Sequence, residues 1–265
     1  MTMRRIQAFE FCEQVETPEV IREGIVELLG RGLRLSPVFE TAAPIFHEFC
    51  ERAGAEIILD LGSGSGEPAA LFIEALSRRK ITPPDFIISD LLPNLSKMEE
   101  VARKFPEKIK IIREPLDATR VPENIKHQAR TVFNTFHHFP QPLAEKILAD
   151  AVAKRKAFLI LEAFPRNFFN FAGMFPFLHR AFFESFFQKK KSTARTLEYL
   201  LAFPFIALLG LWDACVSIRR TYNQEELMAM VKSSGDSYTW EYHEIPFNKH
   251  GAVLIFFGIP KTHFR

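Results

Sequence analysis

The spacing of apolar and polar positions along the chain changes near residue 56. Before it, Val20, Ile21, Ile25, Leu28 and Leu29 recur at helical spacing behind Thr17-Pro18-Glu19. This pattern predicts a helix with Thr17 as its N-cap, a proline in its first turn and a stop at Gly30. A second helix is expected from about Pro37 to Ala53, ending at Gly54. From Glu56 onward, short apolar runs alternate with amphipathic stretches. Strands are expected at 56–61, 85–90, 108–113, 129–134 and 156–162, and helices at 67–79, 94–105 and 142–154. Such alternation is the mark of an α/β fold, a mostly parallel sheet covered on both faces. Near the end of the chain, Asn223 with Glu226 reads as a capping box. Beyond it, Tyr238, Trp240 and Tyr242 alternate with polar residues, and Ala252-Val253-Leu254-Ile255-Phe256-Phe257 is a fully apolar strand.

The first strand runs into Ile57-Ile58-Leu59-Asp60-Leu61-Gly62-Ser63-Gly64-Ser65-Gly66-Glu67-Pro68. Glycines at alternate positions let the chain turn sharply and let a ligand approach main-chain atoms, because no Cβ intervenes. A dinucleotide fingerprint would place its third glycine three positions after Gly64, where this chain has Glu67, and that charge repels a pyrophosphate. A P-loop needs a lysine at the end of the turn, and none occurs before Lys80. Asp60 and Glu67 on either side of the turn suit a cationic or neutral nucleoside ligand. S-adenosylmethionine, with its ammonium and sulfonium groups, is of that kind.

On these residues the sequence resembles the class I S-adenosylmethionine-dependent methyltransferases, whose first motif is an acid followed by G-x-G-x-G. The likeness covers about Ile57 to Glu162, with a weaker match of pattern at the C-terminus. It implies a Rossmann-like, doubly wound, seven-stranded and mostly parallel sheet whose last strand is antiparallel. It also implies S-adenosyl-L-methionine as cofactor and S-adenosyl-L-homocysteine as product. In the family an acid ending the second strand holds the ribose hydroxyls; Asp85-Phe86-Ile87-Ile88-Ser89-Asp90 matches at Asp90, followed by Leu91. An acid beside the adenine is matched at Asp117, with Ala118, in Pro115-Leu116-Asp117-Ala118-Thr119. The end of a fourth strand near the reacting methyl group is matched by Thr131-Val132-Phe133-Asn134. The cofactor site implied is therefore Asp60, Gly62, Ser63, Gly64 and Gly66 for the amino acid part, Asp90 and Leu91 for the ribose, Asp117 and Ala118 for the adenine, and Asn134.

Composition narrows the partners. With 265 residues, 47% hydrophobic and 25% charged, the chain can bury a full core. A net charge of +2 gives no reason to expect nucleic acid as partner. Cys12, Cys50 and Cys215 are odd in number and widely spaced, which points to no metal site, no disulfide framework and a reducing cytoplasm. Glu10 and Glu13 interrupt the apolar residues at the N-terminus, so no secretory segment is expected.

The organisation expected is an N-terminal helical extension or lid at 1–55, a cofactor-binding core at 56–163, a Phe-rich insertion at 164–222 and a C-terminal helix with a strand hairpin at 223–265. Of the 28 phenylalanines, nine lie between Phe168 and Phe187, and Phe182, Phe183, Phe186 and Phe187 recur at helix spacing as one apolar face. Three readings of the insertion stand: a helical subdomain buried on the sheet, the wall of a lipophilic acceptor pocket, or a peripheral membrane contact with Lys189-Lys190-Lys191 near head groups. No charge occurs from Tyr199 to Trp212, but Pro204 interrupts that run and argues against a membrane span.

The sulfonium is already an activated donor, so the protein's task is to align the acceptor, exclude water and, where needed, remove a proton. His137 and His138, just after Asn134, are the candidate bases, and Glu162 at the end of the fifth strand faces the same place. Asp213 and Arg219 read as a structural ion pair or helix cap. The function expected is methyl transfer from S-adenosylmethionine to a small lipophilic acceptor at oxygen, nitrogen or carbon. The alternatives are a protein of the same fold that binds cofactor without transfer, and an enzyme of the same fold with different chemistry, such as aminopropyl transfer or cyclisation.

Overall fold

The computed structural model describes residues 3–187, 193–249 and 251–261, with side chains throughout these except at 168–174, 185–187 and 193–200. The expected position of Lys189 to Lys191 lies outside the described residues. The chain divides into two compact units: a helical unit of 1–38, 164–222 and 246–252, and a sheet unit of 39–163, 223–245 and 253–265. The 1–55 segment is thus split, its second helix grouping with the sheet.

In the sheet unit, β1 (Ile57–Leu61), β2 (Asp85–Ser89), β3 (Ile109–Ile111), β4 (Ala129–Phe133), β5 (Ala157–Glu162), β6 (Tyr238–Pro246) and β7 (Ala252–Pro260) form one sheet in the order β3-β2-β1-β4-β5-β7-β6. The pairings β1–β2, β1–β4, β2–β3 and β4–β5 are parallel, whereas β7 runs antiparallel to β5, the reversed strand expected at the end of the chain. Every residue of β4 and β5 is buried; β5 accordingly reads as a nearly continuous apolar run, whereas β4 carries the buried polar residues Arg130 and Thr131.

Helices α2 (Val38–Ala53), α3 (Glu67–Arg78), α4 (Leu95–Lys104) and α5 (Gln141–Ala153) join the same unit, and α8 (Gln224–Met230) opens on the full Asn223–Glu226 capping box. The core is rich in phenylalanine: Phe46 of α2 stacks on Phe72 of α3 at 4.1 Å between ring centres and meets Phe86 and Phe133 of the sheet. Much of the chain's phenylalanine therefore fills this core, where Phe packs large area without a polar atom to satisfy.

In the helical unit, α1 (Glu19–Leu35) packs on α6 (Phe168–Phe187) and α7 (Thr193–Arg220) around Ile25, Leu28, Ala181, Phe203 and Ile206. The expected stop at Gly30 is corrected: α1 continues to Leu35, and its N-cap is Pro18, with no side-chain cap from Thr17. Gly24 serves close packing, since a Cβ there would stand 2.5 Å from Ile206 Cδ1. Pro204 likewise does not interrupt α7. Pro44, Pro176 and Pro204 each sit on an exposed helix face, where the carbonyl one turn earlier can bond to water. By length and composition alone, Leu201–Arg220 is one helix apolar enough to cross a membrane.

The segment before α1 is tied to α7 by polar groups. Asp213 accepts the main-chain N–H groups of Phe11 at 2.7 Å and Cys12 at 2.9 Å, so its role is to cap that turn rather than to form an ion pair. The ion pairs come instead from Arg220, to Glu10 at 3.1 Å and Glu13 at 2.8 Å. Phe182 packs on Phe203 while Phe183 is exposed, so these neighbours do not share one face.

Candidate functional site

In the order of the parallel strands, direction reverses between β1 and β4, the place where open α/β sheets bind ligands outside the carboxyl ends of the strands. The glycine turn leaves β1 at this point and enters α3. Its three glycines all have positive φ, from 56° at Gly64 to 77° at Gly66. At Gly66 a Cβ would fall 2.5 Å from Ile88 Cδ1, so the turn lies tight against β2. At Gly64 a Cβ would meet nothing within 4 Å, so the middle of the turn borders open space.

Hydrogen bonds fix the turn from three neighbouring strand ends. Ser63 N–H donates to Ser89 O at 2.9 Å, and the hydroxyls of Ser63 and Ser89 both donate to Asp60 O. Asp90 accepts Gly64 N–H at 2.8 Å on one oxygen and Leu92 N–H at 2.9 Å on the other. Thr135, just beyond β4, donates its hydroxyl to Gly62 O at 3.1 Å. Leu91 and Leu92 are exposed beside Asp90. The next loop joins through Leu116 N–H, which donates to Asp90 O at 2.9 Å. There Asp117 is exposed and accepts both the N–H and the hydroxyl of Thr119, which lowers its carboxyl from the ordinary value, and Ala118 is half-buried between them.

Asp60 is placed differently from Asp90 and Asp117, because it is fully buried. Thr131, opposite it across the β1–β4 pairing, donates to Asp60 Oδ1 at 2.8 Å, while Oδ2 has no hydrogen-bond partner. Burial raises its pKa to about 7 against the hydroxyls of Thr131 and Ser63, with the charge of Asp90 adding to the rise. Asp60 is therefore poised between neutral and ionised beneath the glycine turn, and a nearby cation would ionise it.

One strand further along, Asn134 has a φ of 51° and accepts Ala163 N–H at 3.1 Å, joining the ends of β4 and β5. The 3-10 turn Phe136–His138 follows. Within it His137 is buried and doubly held by Glu162: its N–H donates to Oε1 at 2.9 Å and its Nδ1 lies 2.7 Å from Oε2. A carboxylate only accepts, so Nδ1 carries a proton. His138 is half-buried, its ring 4.2 Å from that of His137. Sequence reading named these three residues but not the pairing, and it missed Thr131, Thr135 and Ser89. Thr131 left one signal, a polar residue within an apolar strand.

A further cluster in the helical unit, Glu10, Cys12 and Asp213, brings potential metal ligand atoms within 4.8 Å of one another. Its chemistry does not favour a cation, because Glu10 is paired with the Arg220 guanidinium, which already places a positive charge on the cluster. Burial and the neighbouring Asp213 and Glu10 carboxyls also push the Cys12 thiol far above its ordinary value, away from the thiolate a metal needs.

No known protein-family profile matches the chain, and no curated protein matches its sequence. Solved structures do match. The plantazolicin methyltransferase BpumL, determined in complex with SAH, is 11% identical with a TM-score of 0.52, covering 95% of this chain and 93% of that one. A putative O-methyltransferase from Nostoc punctiforme is 15% identical with a TM-score of 0.51, over 96% and 64% of the two chains. The S-adenosylmethionine-dependent methyltransferase SibL is 11% identical with a TM-score of 0.50, over 83% and 55%. This chain thus spans nearly all of the first and less than two thirds of the other two. At such identities the likeness is one of fold, and the fold is that of the class I S-adenosylmethionine-dependent methyltransferases.

Proposed function

We propose that the protein transfers a methyl group from S-adenosylmethionine to a small lipophilic acceptor at oxygen, nitrogen or carbon. The observation that carries this reading is the joint placement, at the strand reversal, of a glycine turn bordered by open space and the Asp90 carboxylate bonded to it. The residues fit the cofactor. Main-chain groups of Gly62 to Gly66, above the buried Asp60, suit its amino acid part. Asp90, whose oxygens keep lone pairs beyond the two N–H groups they accept, suits the ribose hydroxyls, with Leu91 beside it. Asp117 and Ala118 suit the adenine, and Asn134 borders the same strand ends. When bound, the cofactor supplies an activated methyl group on sulfur.

The protein's own part is orientation and proton removal. Holding an acceptor atom in line with the methyl carbon supplies much of the rate through proximity. Where the acceptor atom carries a proton, His137 Nε2 takes it while Glu162 holds the ring by Nδ1 and stabilises the imidazolium formed. His138 is the second histidine beside this pair. A lipophilic acceptor is supported by the nine phenylalanines from Phe168 to Phe187 in the insertion sequence.

Calorimetric titration with S-adenosylmethionine tests the cofactor assignment. Asp90→Ala removes charge-assisted hydrogen bonds worth about 1.5–3 kcal/mol, so affinity should fall about tenfold or more. Unchanged affinity would remove the ribose role, and binding of NAD in place of S-adenosylmethionine would overturn the proposal. A labelled-methyl assay over lipophilic acceptors separates transfer from binding alone.

A further inference from the structure

Helix α7 shows two opposite faces. On one, Phe203 and Ile206 are buried with Ile25 and Leu28 of α1, and Gly210 lies so near α1 that a Cβ there would stand 3.1 Å from Leu28 Cδ2. On the other, Leu201 is 70% exposed, Phe205 59%, Leu208 66% and Trp212 45%. At about 100° per residue these four positions fall within a sector of roughly 60°, a single stripe about 17 Å long. Phe9 extends it: it is exposed, its ring lies 5.9 Å from that of Trp212, and its carbonyl accepts Trp212 Nε1–H at 3.1 Å. Scattered exposed apolar residues are ordinary on soluble proteins, but a continuous stripe of Leu, Phe, Leu, Trp and Phe is not.

We propose that the helical unit docks on an anionic lipid surface through this face of α7, with the helix lying in the interface. A spanning arrangement is disfavoured by the opposite face. Asp213 and Arg220 on α7 are buried among main-chain groups and carboxylates of the N-terminal segment, and a span would move both into hydrocarbon. Self-association is disfavoured by area: five side chains about half exposed present roughly 100 Å² each. The total, on the order of 500 Å², is short of the ~800 Å² per partner of a stable interface. A lipid interface requires no such area, since a few aromatic and aliphatic side chains entering the head-group boundary, helped by positive charge, are enough. Charge adds less: the described residues of the helical unit hold 11 Lys and Arg against 9 Asp and Glu, and Lys189 to Lys191, three further cations of the sequence, lie outside the described residues. Glu16, Glu19 and Glu23 are exposed before and along α1, so insertion of the stripe is the larger contribution and charge the smaller.

The test is co-sedimentation of the full chain with vesicles of phosphatidylcholine alone and of phosphatidylcholine with 30% phosphatidylserine. Binding is expected to the mixed vesicles and to be weaker on phosphatidylcholine. Phe205→Glu with Leu208→Glu should lower partitioning at least about tenfold, since each side chain forfeits its transfer from water. Phe205→Ser with Leu208→Ser should also lower it, which separates lost insertion from added repulsion. Leu143→Glu, an exposed apolar position on α5 of the sheet unit, should leave it unchanged. Circular dichroism and thermal melting confirm that the variants fold, and methyl transfer is not needed for the readout. The proposal is overturned if the wild type stays in the supernatant, if it binds both vesicles equally, or if the stripe variants pellet like the wild type. It is equally overturned if sedimentation velocity shows a dimer that Phe205→Glu with Leu208→Glu converts to a monomer.

Discussion

Asp60→Asn isolates the buried acid beneath the glycine turn. The substitution keeps the shape and an oxygen for the Thr131 hydroxyl, and removes the charge that burial disfavours. The pKa of Asp60 rises on folding from 3.8 to about 7, and at about 1.4 kcal/mol per pH unit this amounts to about 4 kcal/mol. The raised pKa means that the folded state holds the Asp60 proton more tightly than the unfolded chain does. The wild type therefore has no penalty below pH 3.8, loses stability as pH rises, and has lost the full amount above about pH 7. The amide adds a pH-independent cost of about 1–3 kcal/mol, because its NH2 group replaces an oxygen that has no hydrogen-bond partner. The variant should be the less stable protein near pH 4 and the more stable one at pH 8, with the curves crossing between about pH 4.5 and 6. Denaturant unfolding of both proteins without ligand at pH 4.5, 6 and 8 measures this. The difference between them should change by about 3 kcal/mol over that range. A change below about 1 kcal/mol would show that Asp60 ionises as an ordinary carboxyl and would refute the argument. The same titration has a functional side: a ligand ammonium on the turn draws Asp60 to its ionised form, so affinity for S-adenosylmethionine should rise with pH through 7 in the wild type and stay flat in Asp60→Asn.

Three further predictions follow from the same geometry. Gly66→Ala places a Cβ 2.5 Å from Ile88 at a φ of 77°, and should cost about 2–5 kcal/mol, lowering Tm by more than about 5 °C; Gly64→Ala meets open space, so it should cost only about 1–2 kcal/mol of strain while weakening cofactor binding, seen by thermal shift and calorimetry together. Asp150→Ala leaves the fully buried Arg130, bonded to it at 2.6 Å, without that carboxylate, and should destabilise by about 3–5 kcal/mol in urea unfolding. His137→Gln should lower kcat for a hydroxyl or amine acceptor by about 10²–10⁴ with cofactor affinity unchanged, and Glu162→Gln should lower it less; unaltered kcat in His137→Gln would take the base role from it.

The five parallel strands were the most legible part of the sequence, each beginning and ending within about two residues of its expected place. β1, β2 and β5 are apolar over most of their length, the pattern of strands buried in a parallel sheet, while β4 is equally buried but carries Arg130 and Thr131. Glycine and proline misled where their local effect gave way to packing. Gly30 does not end α1, which runs on to Leu35, and Pro204 is tolerated because its helix face is exposed. The acids of the glycine turn and of the following strands could be found from their positions after apolar runs. Pairings over distance could not, since nothing local in His137 shows that Glu162, 25 residues away, accepts from both its N–H and its ring.

The burial of Asp60 changes what the acidic pair around the turn means. Sequence spacing makes Asp60 and Asp90 look alike, two acids each ending a strand. Folded, they divide the work: Asp90 has both oxygens on main-chain N–H groups at the rim, and Asp60 has one oxygen on Thr131 and one with no partner. An ionised Asp60 would add a second negative charge beneath Asp90, and that repulsion is among the causes that hold its proton on. Two main-chain N–H groups satisfy Asp90, whereas a cation, or a further donor on Oδ2, would relieve Asp60. On the proposed reading, electrostatic selectivity for a positively charged ligand would reside in the buried acid, and the rim acid would contribute shape and hydrogen bonds. An anionic pyrophosphate on the same turn would meet Glu67 and receive no benefit from either acid.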